Sequence, residues 1–138
     1  MMEGGCDRTV LIVEDDGDLR STLAEVLEDG DYKTVCAENG AVALQELRTA
    51  ERPPCLILLD MMMPVMDGKA FRVAQEQDPL LKHIPVIVLS AHADVSTTAS
   101  QISAQGFLRK PVDLGALMET VERFCVENPQ GRGAGGRS

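Results

Sequence analysis

Apolar blocks of strand length alternate with segments of helical period along this chain, and no other feature restricts its fold so much. Five strands are expected, at 9–13 (TVLIV), 33–37 (KTVCA), 55–59 (CLILL), 86–89 (VIVL) and 107–109 (FLR). All but the second and the last are apolar throughout, as suits parallel strands covered by helices on both faces; a strand with one wet face would alternate. Between them, Leu19, Leu23, Val26 and Leu27 form one helical stripe, and Leu114, Leu117, Val121 and Phe124 another. Asn39-Gly40 opens a helix carrying Ala43, Leu44 and Leu47, and Asp67-Gly68 opens one carrying Phe71 and Ala74. The segment 94–105 (DVSTTASQISAQ) is the weak one: only Val95, Ala99 and Ile102 form a face, and its Ser and Thr side chains compete with the helix for backbone hydrogen bonds. A marginal, mobile helix is expected there.

Composition sets outer bounds. A chain of 138 residues with 44% apolar content can build one core but not two ordinary domains. Its net charge of -9 argues against a nucleic-acid surface, which needs cations facing phosphates. No apolar run approaches the roughly 18 residues a membrane span needs, and the start MMEGGCDR lacks the layout of a cleavable signal. A cytoplasmic chain is expected. Cys6, Cys36, Cys55 and Cys125 lie far apart with no CxxC pair, so they read as reduced packing residues, not a zinc cage or a disulfide framework. The expected organisation is a flexible N-terminal segment at 1–8, one globular domain at 9–126, and a disordered Gly-rich tail at 127–138.

Right-handed βαβ crossovers put the C-terminal ends of all parallel strands along one edge, which is where ligands bind in such sheets. Glu14-Asp15-Asp16 follows the first strand, Asp60 the third, Ser90-Ala91 the fourth and Lys110-Pro111 the fifth. Singly, each has a plain explanation. Asp16 or Asp18 caps a helix, Glu14, Asp15 and Asp60 are turn acids, and Lys110 is a surface charge. Jointly they are harder to dismiss, because independent surface residues have no reason to follow four different strands on one edge. Three carboxylates within about 5 Å repel by roughly 3 kcal/mol per pair at an effective dielectric of about 20, so a cation must join them. Oxygen-only donors that leave room for water suit Mg²⁺. A carboxylate set between such an ion and a lysine is placed to attack phosphorus.

The motifs LIVEDD, ILLDMMMPVMDG, VIVLSAHA and GFLRKPVD, in this order and spacing, resemble the receiver domain of two-component response regulators. The resemblance covers residue 9 to about residue 126. It implies a doubly wound α/β fold, flavodoxin-like, whose five-stranded parallel sheet has the order 2-1-3-4-5 and helices on both faces. It makes Asp60 the phosphoacceptor for a phosphoryl group from a histidine kinase or histidine phosphotransfer protein. Mg²⁺ would be held by Asp15, by Glu14 mainly through water, by Asp60 and by the Met62 carbonyl. Ser90 and the backbone amides near Met62 and Ala91 would receive the phosphoryl oxygens, and Lys110 would pair with them. Phe107 matches the family's switch aromatic, although a core aromatic on a short strand reads the same way. The Lys110-Pro111 bond is typically cis in the family.

Glu14 stands where Asp is commoner and Ser90 where Thr is commoner. Met62 and His92 occupy positions that tune hydrolysis of the acyl phosphate, and the bulk of Met62 predicts slow loss. The implied function is a signalling switch, not an enzyme beyond self-phosphorylation and slow self-dephosphorylation. It would act on a downstream protein or output domain through the face made by the 94–105 helix, the last strand and the last helix. Homodimerisation on phosphorylation stays open. Two other readings compete. One is a phosphorylation-independent interaction module of the same fold, although such chains usually lose the acceptor or the lysine. The other is a haloacid-dehalogenase-type phosphohydrolase, whose DxDx[TV] spacing Glu14-Asp15-Asp16-Gly17 lacks.

Overall fold

The computed structural model describes residues 8–91 and 102–125. In chain order the elements are β1 (Thr9–Val13), α1 (Gly17–Asp29), β2 (Lys33–Ala37), α2 (Gly40–Thr49), β3 (Leu56–Asp60), α3 (Gly68–Glu76), β4 (Val86–Ser90), β5 (Gly106–Arg109) and α4 (Leu114–Cys125). The helix expected at 94–105 falls mostly outside the described residues, as do the tail and all of the N-terminal segment except Arg8. The five strands pair in parallel in the order β2-β1-β3-β4-β5. This is the doubly wound order expected from the motifs.

The order explains the composition of the strands. β1, β3 and β4 lie inside the sheet and are buried almost throughout, whereas β2 and β5, whose residues are partly exposed, are its edges. Alternate residues of the apolar strands feed two cores. Leu11, Val13, Ile57, Leu59, Val86 and Val88 pack with Ala43, Leu44 and Leu47 of α2 and Phe71 of α3. Val10, Ile12, Leu56, Leu58, Ile87 and Leu89 pack with Leu23 and Leu27 of α1 and Leu117 and Val121 of α4. The predicted stripes hold, except that Leu114, on the first turn of α4, is 41% exposed.

Side-chain caps start the helices where the sequence places them. Asp16 accepts from the backbone N–H groups of Asp18 and Leu19, Asn39 from that of Val42, and Asp67 from that of Ala70. Buried Arg72 of α3 donates to the carbonyls of Ile102 and Ser103 at 2.8 and 2.9 Å and to Gln75 at 2.8 Å, tying α3 to the chain that enters β5. Among the described residues, no helix is long and apolar enough to cross a membrane.

The cysteines depart from expectation. Cys55 and Cys125 are joined in a disulfide with their Cα atoms 5.3 Å apart, while Cys36 is exposed and free. Seventy residues of sequence separation concealed the pairing. The fold closes that gap by laying the last turn of α4 over the start of β3.

Candidate functional site

β3 and β4 each run one residue further than the apolar pattern suggests, so Asp60 and Ser90 are the last residues of their strands. Being strand residues, they are held by the sheet ladder and not by loops. The register sets Asp60 beside Leu89 and Ser90 beside Arg109, and the backbone N–H of Lys110 donates to the Ser90 carbonyl at 2.9 Å. Lys110, the residue after β5, is thereby fixed beside Ser90, the last residue of β4. The Lys110–Pro111 peptide is cis.

On the other side of Asp60, Glu14 follows β1 and its backbone N–H donates to the Ala37 carbonyl of β2 at 3.0 Å. Lys110 Nζ lies 2.8 Å from Glu14 Oε1 and 3.4 Å from Asp60 Oδ1. Glu14 Oε2 accepts the backbone N–H of Asp16 at 3.2 Å, and Asp60 Oδ1 accepts that of Met62 at 3.3 Å. Glu14 and Asp60 are buried, at 0% and 2% exposure, and Asp15 is exposed. The structure therefore brings Glu14, Asp15, Asp60 and Lys110 together, with Ser90 at the same edge.

The electrostatics follow from the burial. Desolvation, followed by the hydrogen bond and negative charge of Glu14, raises the Asp60 pKa to about 7, against the smaller opposing pull of the Met62 N–H and the Lys110 charge. Burial alone would lower the Lys110 pKa, but its hydrogen bond to Glu14 and the charges of Asp60 and Glu14 outweigh that and leave it above its ordinary value. One ammonium is thus shared by two buried carboxylates, and a third carboxylate stands at the rim.

The donor set fits a hard divalent cation. One carboxylate oxygen from each of Glu14, Asp15 and Asp60 can be chosen such that all lie within 4.8 Å of one another, with no His or Cys in the cluster. Asp15 opens the cluster to solvent, where water can complete the shell of a cation.

The loop after Asp60 is tightly cradled. A Cβ on Gly68 would come within 2.8 Å of the Asp60 carbonyl oxygen, and one on Gly40 within 2.9 Å of the Met66 carbonyl oxygen. Met66 N–H donates to the Pro64 carbonyl at 2.7 Å around Val65, a β-branched residue held at φ 68, so the loop after Asp60 carries local backbone strain.

Met62, two residues after Asp60, is 63% exposed, and Ala91 is exposed just after Ser90. Phe107 lies on edge strand β5, opposite Val88, and is 43% exposed, which rules out its reading as a core aromatic. His92 lies outside the described residues. Two contributors were missed in the sequence. Arg20 of α1 donates to the Glu14 carbonyl at 2.7 Å and steadies that residue, and Gly68 leaves room for the Asp60 peptide. Arg20 gives no sequence signal beyond its place one turn into α1. Gly68 was visible as a helix-opening glycine and, with Pro64, as fitting the loop after Asp60.

The doubly wound fold and its acidic edge narrow the class, and comparison with known proteins assigns the family. The family model described as the response regulator receiver domain matches residues 10–122, and the chain belongs to that family. Over 117 residues, 83% of this chain, it is 38% identical to the sensor histidine kinase TmoS of Ectopseudomonas mendocina, of whose length it spans only 12%. It is 33% identical over 125 residues to the response regulator receiver protein CpdR of Brucella abortus (strain 2308), with 86% of this chain and 98% of that one aligned. Among solved structures, the Mn(2+)-bound form of response regulator Rcp1 superposes with a TM-score of 0.70 at 28% identity, covering 88% of this chain and 96% of that one.

Proposed function

We propose that this receiver domain is a phosphorylation-driven signalling switch that accepts a phosphoryl group on Asp60. The observation that carries the proposal is Lys110 Nζ standing between the buried carboxylates of Glu14 and Asp60, next to the solvent-open Asp15. Receiver-like interaction modules that work without phosphate usually lack the acceptor or the lysine, and here both are in place.

In this reading a carboxylate oxygen of Asp60 attacks the phosphorus of a phosphohistidine on a histidine kinase or phosphotransfer protein. A P–O bond forms as the P–N bond breaks, and the departing imidazole takes up a proton. Lys110 neutralises charge on the transferring oxygens, and the Ser90 hydroxyl with the backbone amides near Met62 and Ala91 receives them. Glu14, Asp15, Asp60 and the Met62 carbonyl would hold Mg²⁺, which supplies Lewis-acid neutralisation of the phosphoryl charge. Response regulator Rcp1 has a Mn(2+)-bound form, which supports a divalent ion for this chain as well.

The chain acts as a substrate and timer, not as an enzyme on other molecules. The phosphoryl group adds about two negative charges at the edge, beside Ser90 and the chain leading to Phe107. This shifts the population of conformations that a downstream protein or output domain meets at β5 and α4. The setting proposed is cytoplasmic, where histidine kinases present their phosphohistidine.

Incubating the full chain with Mg²⁺ and acetyl phosphate should add the mass of one phosphoryl group, and Asp60→Asn should abolish the gain. A gain that survives in the variant overturns the assignment. Met62 follows Asp60 by two residues, and its apolar bulk should slow the approach of hydrolytic water, so Met62→Asn is expected to hasten phosphoryl loss several-fold. Following the decay of the phosphorylated mass checks this, and an unchanged or slower rate counts against it.

A further inference from the structure

Of the four cysteines in the chain, Cys55 and Cys125 are joined. Cys55 immediately precedes β3, and its backbone N–H donates to the Thr9 carbonyl at 2.8 Å, so β1 fixes its place. Cys125 is the last residue of α4, is 4% exposed, and shares the face of Leu117 and Val121 that packs on Val10, Ile12, Leu56 and Leu58. Sheet hydrogen bonding and core packing thus hold both backbone positions alongside the bond. Their Cα separation of 5.3 Å lies inside the range of about 4.4–6.8 Å usual for a disulfide, so the bond sits in this fold with ordinary spacing. Access is unequal, because Cys55 is half-buried and Cys125 is covered.

We propose that Cys55 and Cys125 form a reversible thiol–disulfide modification site, oxidised by a low-molecular-weight disulfide of the glutathione class, that staples the end of α4 to the sheet. The more accessible Cys55, as its thiolate, attacks one sulfur of the small disulfide. A mixed disulfide forms, and the other half leaves as a thiol after taking up the proton. Cys125 then loses its proton, attacks the Cys55 sulfur and expels the second small thiol. Two protein thiols are oxidised to one disulfide, and the small disulfide is reduced to two thiols.

The staple is separate from the phosphoryl chemistry. Asp60 ends the strand that Cys55 precedes, which puts the two roughly 16 Å apart at about 3.3 Å per residue. Its effect is to close a long loop in the unfolded chain, the two cysteines being 70 positions apart, and to hold the last turn of α4.

The test uses the full chain, reduced with dithiothreitol, equilibrated at pH 8 with graded ratios of glutathione to its disulfide, and quenched with N-ethylmaleimide. As the mixture becomes more oxidising, the adduct count should fall from four to two, and peptide mapping should link Cys55 to Cys125. The oxidised form should melt on the order of 10 °C above the reduced form, and amide exchange in α4 should slow. Cys125→Ala and Cys55→Ala should each remove the melting response. The wild-type redox titration stands whether or not those variants fold. Four adducts persisting at the most oxidising ratio, a link through Cys6 or Cys36, or an oxidised form with an unchanged melting temperature would overturn the proposal.

Discussion

Asp60→Asn is expected to raise the melting temperature at pH 8 while ending phosphoryl uptake. Burial and the facing Glu14 push the Asp60 carboxyl up to about 7 in the folded chain, from 3.8 ordinarily. The folded-state pKa is thus raised. The stability contributed by the bound proton is fully present below about pH 4, falls as the pH rises toward 7, and is gone above that. At roughly 1.4 kcal/mol per pKa unit the fall amounts to a few kcal/mol, which the folded chain forgoes at neutral pH.

Asn keeps the shape of the acceptor, removes the charge, and leaves Lys110 paired with Glu14 alone at 2.8 Å. A gain of about 2 kcal/mol at pH 8 follows, close to 6 °C for a domain of this size, with little change at pH 4. Thermal melts between pH 4 and pH 8 in a chelator check this. A wild-type stability that does not fall across that window, or an Asn variant that still falls with it, sinks the account. The same reasoning ties the ion to pH. Mg²⁺ at about 100 times its dissociation constant would add roughly 2.7 kcal/mol at pH 8, and much less at pH 5, where Asp60 keeps its proton.

Most of the architecture could be read from the strands themselves. β1 and β2 fall at 9–13 and 33–37 as expected, because a polar residue or turn bounds each apolar block. The edge position of β2 and β5 was latent in their polar residues. Asp60 and Ser90 were first placed just after their strands, because polar side chains end an apolar pattern; the backbone ladder runs one residue past it.

The convergence of Glu14, Asp15, Asp60 and Lys110 was legible because parallel topology alone carries strand ends to one edge. The Cys55–Cys125 bond was not, since it depends on where the last turn of α4 settles across the sheet, and no local spacing encodes that. Nor could the sequence reveal the link of Arg72 to Ile102 and Ser103, which joins residues thirty positions apart through backbone carbonyls any residue would supply.

Lys110→Met tests the same electrostatics from the cationic side. Lys110 Nζ is the cation shown beside Glu14 Oε1 and Asp60 Oδ1, and its side chain is 22% exposed. Met preserves much of the stem's packing and removes the charge, leaving two buried carboxylates with no counter-ion. Removing one partner of such a group costs roughly 3 kcal/mol, because the remaining charges stay desolvated. The cost must depend on pH in a particular direction. At pH 8 Asp60 is largely ionised and the full loss applies; at pH 5, below its value of about 7, it holds its proton and the loss shrinks. The combination Lys110→Met with Asp60→Asn should therefore be more stable than the sum of the single effects predicts, since Asn removes one of the stranded charges. A coupling of about 1 kcal/mol or more is expected from urea titrations of the four chains at pH 8. Strict additivity there, or a Lys110→Met loss that is equal at pH 5 and pH 8, would show that the lysine does not balance the two acids. In that case the charge arrangement on which the acceptor chemistry depends would have to be abandoned.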